Sequence, residues 1–368
     1  MAAIDTQITI TGLRSRAVVV PINLGLQTSA GTVDRLPLVL LDLHTSAGVT
    51  GHSYLFAISS AHLKPMLALL DAMASMIEGQ PLAPFEIERI IRKHYALLGV
   101  HNLVTIAMSG IDMAIWDALA RRAGQPLVSL LGGRPGPVRA YNSCGLGIMP
   151  EAQLTAQVPA LLERGFGAVK IRLGRPRAED DLSAVAAVRK ALGPDIELMA
   201  DFNQGLTLNE ALKRCRMLDA QGELTWIEEP ITADNFAGCA QIAAATATPI
   251  SIGENFMGPE QMAVALAAQA ADFVMPDVQR IMGVTGWMRA AALAQAYGLD
   301  MSSHLFPEFS RHLLAVTPTA HWLEYVDWAD PILREPLRIT DGVTRIDDEP
   351  GAGVQWNEDA VERYKVLS

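Results

Sequence analysis

The chain of 368 residues is longer than an ordinary single domain and suits one β/α barrel of roughly 200 to 250 residues with a smaller partner domain. Half of the residues are hydrophobic and 19% are charged, so the composition predicts a compact protein with a large core. The net charge of −11 and the lack of a basic run argue against nucleic acid as a partner.

The cysteines and the N-terminal residues bear on the cellular compartment. Cys144, Cys215 and Cys239 are odd in number and lack the paired spacing of a zinc site, which is typical of a protein kept in a reducing compartment. The first residues lack the pattern of a secretion signal, and no uninterrupted apolar run reaches membrane-spanning length. We therefore expect a cytoplasmic protein that does not enter a membrane.

The first third of the chain has the pattern of a mixed domain. Residues 8–53 predict antiparallel strands, with a loop around Gly31 and Pro37. Segments 60–79, 85–98 and 102–122 carry apolar residues at helical spacing, and glycines and a proline at 132–136 end the pattern. These elements predict an α+β capping domain, or lid, over residues 1–136.

From residue 137 the pattern changes to short apolar runs, most of them followed by an amphipathic helix. Parallel strands need crossover connections, and eight right-handed βα units close into a barrel. The sequence predicts a (β/α)-barrel of modified TIM type over residues 137–327, with residues 328–368 returning to the lid. The eight runs are Val138–Ser143, Ala168–Arg172, Glu197–Asp201, Thr225–Glu228, Pro249–Glu254, Phe273–Asp277, Met301–His304 and Trp322–Tyr325.

Polar residues stand at the C-terminal ends of most of these runs, at the rim where barrel enzymes hold their active sites. Asp201, Glu228 and Glu254 end three consecutive runs, so their carboxylates are expected to converge. Like charges at such a point need a cation between them, and all-oxygen ligation favours Mg²⁺, with Mn²⁺ as an alternative. Taken singly, each acid equally suits a cap on the following helix.

Asp277 and His304 end the sixth and seventh runs. A carboxylate that holds one imidazole nitrogen leaves the other aimed at a substrate, so the pair predicts a His–Asp dyad with His304 as general base. A lone histidine is more often structural, which is our interpretation of His312 and His321.

Long segments resemble the enolase superfamily, and within it the mandelate racemase subgroup. The resemblance implies that Asp201, Glu228 and Glu254 bind Mg²⁺. It also implies that His304, with Asp277, exchanges the proton alpha to a carboxylate on one face. The segments are Gly51–Ala57, Trp226–Pro230, Gly283–Trp287, Met301–Phe306 and Thr317–Glu324.

The same resemblance implies further roles, with a small carboxylate as the substrate. Lys170 is expected to face the substrate carboxylate, and Glu324 to donate a hydrogen bond from a neutral carboxyl group to the developing enediolate. Ser143 and Asn203 are expected to contact the carboxylate and the α-hydroxyl.

Apolar positions that surround an aromatic ring in the racemase stay largely apolar here, which favours a hydrophobic or aryl side chain on the substrate. Each of them also suits ordinary core packing. Family members are commonly oligomers, so we expect a homo-oligomer. The positions are Ala30, Val33, Phe56, Ile58, Leu305 and Val326.

One residue departs from the racemase pattern, in which two lysines separated by one residue end the second run. Here Lys170 is followed by Arg172, and arginine stays protonated at ordinary pH, so Arg172 is a poor base for the opposite face. Arg172 also suits a salt bridge to a metal-ligand carboxylate.

Three functions therefore stay open. Our leading hypothesis is racemisation of a 2-hydroxy carboxylate. The alternative is dehydration of a sugar acid, an aldonate or aldarate, with His304 as the single base. The third is a barrel without catalysis that serves binding or assembly.

Overall fold

A computed structural model describes residues 8–222 and 224–367. The N-terminal part is the lid, in which an antiparallel sheet packs on helices, with β2 between its two neighbours. A 3₁₀ turn, Ser60–His62, precedes the first helix. The lid elements are β1 (Ile10–Thr28), β2 (Gly31–Thr45), β3 (Thr50–Phe56), α1 (Leu63–Ile77), α2 (Pro84–His94), α3 (Leu103–Ala123) and α4 (Leu127–Leu130).

The first hairpin of the lid is longer than the sequence predicts. Strands β1 and β2 pair as far as Thr28 with Gly31, so the turn lies at residues 29 and 30. The loop expected around Gly31 and Pro37 was therefore wrong, because Pro37 lies inside β2 opposite Val19. The proline is tolerated since β3 ends at the neighbouring Leu38–Phe56 pair, beyond which β2 is an edge strand on that side.

The second part is a closed parallel barrel. Its strands follow one another in chain order, and the last lies beside the first. Backbone hydrogen bonds from Met301 to Thr319 (2.8 Å) and from Ser303 to Trp322 (2.9 Å) close the ring. The strands are β4 (Pro137–Asn142), β5 (Ala168–Arg172), β6 (Glu197–Asp201), β7 (Ile227–Glu228), β8 (Ile250–Ile252), β9 (Phe273–Val274), β10 (Asp300–Met301) and β11 (Leu323–Tyr325).

Among the described residues, seven helices connect these strands, which confirms the predicted α+β lid and β/α barrel. Beneath the rim, a buried cluster of Tyr141, Met199, Trp226 and Trp322 fills the barrel interior, so the upper ends of the strands form the floor of a site. The helices are α5 (Glu151–Leu162), α6 (Ala178–Leu192), α7 (Leu208–Asp219), α8 (Phe236–Ala243), α9 (Pro259–Ala267), α10 (Gly283–Tyr297) and α11 (Pro307–Leu314).

Helix α3 is the apolar core helix of the lid. Its 21 residues, with a mean hydropathy of 1.5 in the most apolar window, are long and apolar enough to cross a membrane, but 83% of that window is buried inside the protein. Two acids on it are also buried and hydrogen-bonded: Asp117 accepts the N–H of His52 (2.8 Å), and Asp112 accepts the N–H of Thr285 (2.9 Å) at the start of α10. This helix therefore joins the lid sheet to the barrel.

The C-terminal segment contacts both parts of the molecule. After a 3₁₀ turn (Asp330–Ile332), strand β12 (Val343–Arg345) pairs with β4 of the barrel. Helix α12 (Glu358–Tyr364) and strand β13 (Lys365–Leu367) then reach the lid, where β13 pairs with β1.

Candidate active site

Three carboxylates meet at the rim of the barrel. Asp201 ends β6 and Glu228 ends β7, in register with each other, and Glu254 lies two residues beyond β8. One oxygen from each side chain lies within 4.8 Å of the others. Asp201 and Glu228 are buried and Glu254 is partly buried, so this is an oxygen-only donor set of the kind that suits a hard divalent cation.

The electrostatics of this cluster also fit a cation. Burial, followed by the charge of Asp201, raises the pKa of Glu228 well above its usual range. Burial likewise raises the pKa of Asp201, although Lys170 and Arg172 act in the opposite direction. Protein groups alone therefore leave part of this negative charge poorly compensated, and a divalent cation would stabilise the ionised acids.

Lys170 is the buried cation at the centre of the site. Its Nζ lies 2.8 Å from Oε1 of Glu228 and 2.8 Å from Oε1 of Glu324, with Asp201 at 3.7 Å. Burial alone would lower the pKa of Lys170, but these carboxylates outweigh it and raise the pKa above the ordinary lysine value. Lys170 is therefore a fixed positive charge.

Glu324, which the resemblance predicts to be a neutral acid, lies beside a lysine. Its Oε2 accepts the N–H of Leu305 (2.8 Å), and its Oε1 is paired with Lys170. Burial alone would raise the pKa of Glu324, but Lys170, His304 and Arg172 outweigh it and bring the pKa well below the usual range. In this arrangement Lys170 favours the ionised form of Glu324, because the lysine lies within hydrogen-bond distance.

Arg172 lies beside the metal-ligand candidates. Its Nε is 3.4 Å from Oδ2 of Asp201, without hydrogen-bond geometry, and its Nη2 donates to Oγ of Ser143 (3.0 Å). Burial alone would lower the pKa of Arg172, but Asp201, Glu324 and Glu228 outweigh it and raise the pKa. The buried Nη1 has no partner among the described residues, so it is a free donor at the site.

The His–Asp pair has the geometry of a dyad. Nδ1 of His304 lies 2.8 Å from Oδ2 of Asp277, and the N–H of Gln279 (2.7 Å) holds the other oxygen of Asp277. Nε2 of His304 faces the acids, 3.4 Å from Glu254 and 3.9 Å from Glu324. Burial alone would lower the pKa of His304, but Glu254, Glu324 and Asp277 outweigh it and raise the pKa to about 9.

The two other histidines considered from the sequence lie elsewhere. His312 is buried in α11, where its Nδ1 accepts the N–H of Val128 (3.2 Å). His321 packs against the rings of Trp226 and Phe273 below the rim.

The expected polar contacts of the substrate are also at the rim. Ser143 is buried directly after β4 and accepts from Arg172. Asn203 has a left-handed backbone (φ +43°), and its Nδ2 donates to Oδ2 of Asp201 (2.9 Å). Oδ1 of Asn203 is buried and has no partner among the described residues, so it remains available to a hydroxyl donor.

The lid covers this rim at two points. Oγ of Ser29, at the hairpin tip, donates to the carbonyl of Phe202, and Val33 lies half-buried near the same tip. Phe56, at the end of β3, donates its N–H to Gln279 (2.7 Å), two residues after Asp277. Its ring packs edge-on against Trp328 at 5.2 Å. The expected apolar residue Leu305 is buried directly after His304 and serves the site through its backbone N–H to Glu324.

Three further residues, not predicted from the sequence, lie beside the metal-ligand candidates. Nδ2 of Asn255 donates to Glu229 (2.7 Å) and to Glu254 (3.2 Å), and its Oδ1 accepts from Arg280. Glu229 and Asn255 directly follow the metal-ligand candidates Glu228 and Glu254, which is a signal that the sequence offered. Arg280 had no such signal, since only the folded chain brings it to Asn255.

Comparison with protein families shows to which superfamily this chain belongs. Residues 10–132 match the mandelate racemase / muconate lactonizing enzyme N-terminal domain, and residues 153–360 match the enolase C-terminal domain-like family. The chain belongs to the enolase superfamily. As a member of this superfamily it is an enzyme, and the superfamily is Mg²⁺-dependent.

Similar members of the enolase superfamily differ in their bound ligands and in the reactions for which they are named. A solved structure of an enolase from alpha pretobacterium bal199 with bound Mg is 46% identical, covers 98% of this chain and 100% of its own, and has a TM-score of 0.95. An enolase from Bradyrhizobium complexed with magnesium and mandelic acid is 43% identical, covers 99% and 100%, and also scores 0.95. L-talarate/galactarate dehydratase of Salmonella typhimurium is 36% identical over 75% of this chain and 70% of its own length.

Proposed function

We propose that this enzyme removes the α-proton of a 2-hydroxy carboxylate with His304 and then eliminates a β-hydroxyl, as a sugar-acid dehydratase does. The observation that carries the proposal is the state of Arg172, which is buried, charged and bound to Ser143 beside Asp201. A guanidinium in such surroundings does not accept a proton. Lys170, paired with two carboxylates, is equally unable to act as a base. His304 is left as the one base among these groups.

Asp201, Glu228 and Glu254 would hold Mg²⁺, or Mn²⁺, which would supply Lewis-acid stabilisation of negative charge on a substrate carboxylate. Lys170 adds a second fixed positive charge at the same point. The proton alpha to a carboxylate is very weakly acidic because its removal places charge on the carboxylate oxygens, and preorganised cations stabilise that charge most strongly in the transition state.

The proposed reaction balances with one imidazole. A cation held by Glu254 would offset the carboxylate charge that raises the pKa of His304 to about 9, and it would therefore favour the neutral imidazole. Neutral His304 takes the C2 proton through Nε2, and the electron pair of that bond enters the enediolate. The pair then returns to expel the C3 hydroxyl, and protonated His304 supplies the proton that makes it water. The resulting enol becomes a 2-keto acid. Since one side chain performs both transfers, the hydroxyl leaves from the face of the substrate that His304 occupies.

The second candidate function is racemisation of an aryl 2-hydroxy acid. It is favoured by the apolar contact of Phe56 with Trp328 at the lid and by the mandelic acid bound to the Bradyrhizobium relative. Racemisation needs a proton on the opposite face, which Arg172 does not provide by itself.

One experiment in D₂O with Mg²⁺ separates these functions. Aldonates, aldarates and single mandelate enantiomers are incubated with the protein, 2-keto products are trapped with semicarbazide, and deuterium at C2 is followed by NMR. Dehydration yields the trapped product from a sugar acid, whereas racemisation yields deuterated mandelate of inverted configuration. If no sugar acid in the library gave a trapped 2-keto product, that result would count against dehydration. His304→Asn should form neither product, and His101→Asn, in an exposed loop, is the matched control for that substitution.

A further inference from the structure

Glu229 is a buried acid that the proposed reaction does not use. It is 1% exposed, and its Oε1 has no hydrogen-bond partner among the described residues. A buried carboxylate oxygen without a donor is costly, so such a group calls for a ligand that supplies one. We propose that Glu229 is a further residue of the metal centre, whose free oxygen accepts a hydrogen bond from a water molecule bound to the cation.

The position of Glu229 supports this role. It directly follows Glu228, and its backbone is left-handed (φ +35°), a conformation that a residue other than glycine adopts at a cost. Backbone hydrogen bonds to Ser251 (3.1 Å) and from Gln204 (2.8 Å) hold that conformation. After burial, the charges that act most strongly on its carboxylate are those of Glu254, Asp201 and Glu228, the three metal-ligand candidates. The amide of Asn255, which contacts both Glu229 and Glu254, places this acid beside the metal-ligand candidates.

Asn255 fixes this carboxylate relative to the third ligand. One amide nitrogen donates to Oε2 of Glu229 (2.7 Å) and to Oε1 of Glu254 (3.2 Å). Its side-chain oxygen accepts from the guanidinium of Arg280. The backbone N–H of Arg280 in turn donates to the carbonyl of Asp277 (3.0 Å). The chain of contacts thus runs from the loop of the His–Asp dyad to the metal cluster, and Asn255 and Arg280 are positioning residues.

The chemistry of the cation agrees with this assignment. Mg²⁺ keeps several of its waters when proteins bind it, and those waters need acceptors. Acceptors in the outer layer orient the ligands, and their loss typically lowers metal affinity about 10- to 100-fold. Glu229 provides one such acceptor, held by a neutral amide that leaves the second oxygen free.

The inference rests on the proposed use of Asp201, Glu228 and Glu254 as ligands, and metal binding tests it without turnover. Titration calorimetry with Mg²⁺ alone compares the wild-type protein with Glu229→Gln. We expect the variant to bind about 10- to 100-fold more weakly. The control is Glu163→Gln, which removes the same charge at the exposed end of α5 and should bind as the wild type does. Equal affinity of all three proteins would overturn the role of Glu229.

A second variant separates the role of Glu229 as a hydrogen-bond acceptor from the role of Asn255, which holds it. Asn255→Ala leaves Glu229 in place but removes the amide that holds its carboxylate. The losses of Mg²⁺ affinity caused by Asn255→Ala and by Glu229→Gln should therefore not add in the double variant. Mn²⁺ is the second probe: relaxation of bulk water protons by the bound ion should change in Glu229→Gln and stay unchanged in Glu163→Gln. Weak Mg²⁺ binding in Asn255→Ala, with normal binding and normal water relaxation in Glu229→Gln, would show that Asn255 acts only by holding Glu254. That result would refute the inference. A wild-type protein that binds no Mg²⁺ would instead refute the proposed function.

Discussion

The guanidinium of Arg172 and the carboxylate of Asp201 are in ionic contact, with Nε 3.4 Å from Oδ2. Arg172 replaces the second lysine of the racemase pattern, and Asp201 is a metal-ligand candidate. The contact keeps a permanent positive charge on the flank of the site where a two-base enzyme needs a group that exchanges protons. The barrel order puts β5, which carries Arg172, away from β10, which precedes His304.

Replacement of Arg172 by lysine is expected to create a second base. Buried lysines titrate more readily than arginine, so Arg172→Lys should allow protonation from both faces. We expect inverted, deuterated product from a single 2-hydroxy acid enantiomer in D₂O, measured by chiral chromatography with mass detection.

The matched control for this substitution is Arg172→Met, which removes the charge without adding a base. It should give no inversion. If Arg172→Lys exchanges the α-proton with complete retention of configuration, the restriction to a single base does not come from Arg172.

His304 and Asp277 should be required for proton removal but not for metal binding. We expect His304→Asn to lower α-proton exchange about 10²- to 10⁴-fold, the range that a general base contributes. Asp277→Asn should also lower exchange, because an amide no longer holds the same imidazole tautomer. Exchange is followed by NMR in D₂O, and Mg²⁺ affinity by calorimetry. Normal exchange in His304→Asn would remove this histidine from the reaction.

Strand ends were predictable because the βα repeat places the last residue of each apolar run at one rim. Asp201 and Glu228 illustrate this, since each follows a short apolar run and both end paired strands. The state of Glu324 was not predictable, because its ionisation depends on Lys170 at 2.8 Å and on the N–H of Leu305, contacts between different strands.

Long-range contacts also explain what else the sequence left open. The amide of Asn255 reaches two acids because the loops after β7 and β8 lie side by side, and Arg280 joins them from the loop after β9. At the hairpin of the lid, Gly31 and Pro37 are ordinary turn signals, but strand pairing with β1 continued through both. Local patterns therefore located the rim, whereas the partners of its side chains depend on tertiary structure.

Loss of one metal-ligand candidate should remove the response of the protein to Mg²⁺. Glu228→Gln takes away a central oxygen donor, so we expect the affinity to fall by more than the roughly 100-fold typical of outer-layer residues. Because a ligand that binds only the folded state raises its stability, Mg²⁺ should raise the melting temperature of the wild type and not that of the variant. Glu179→Gln on the exposed surface of α6 is the control. An unchanged Mg²⁺ effect in Glu228→Gln would contradict the assignment.

Asp112 should make the stability of the lid–barrel contact depend on pH. Burial raises its pKa to about 7, although hydrogen bonds from Thr285 act in the opposite direction. Gly283, with φ +69°, lies so close that an added Cβ would clash with the carboxylate, which shows how tightly α10 packs on this acid. The folded state therefore binds a proton more tightly than the unfolded chain, in which an aspartate has a pKa of about 3.9.

The sign of the effect follows from proton linkage. Between the unfolded pKa and about pH 7 the folded protein retains a proton that the unfolded chain has lost, so rising pH lowers the free energy of unfolding, by at most about 1.4 kcal/mol per pH unit. Above pH 7 this contribution is constant. Asp112→Asn keeps an acceptor for the N–H of Thr285 but does not titrate, so the stability difference between variant and wild type should shift in favour of the variant from pH 5 to pH 8. Urea unfolding midpoints at each pH measure it, and parallel curves for the two proteins would show that Asp112 does not titrate in this range.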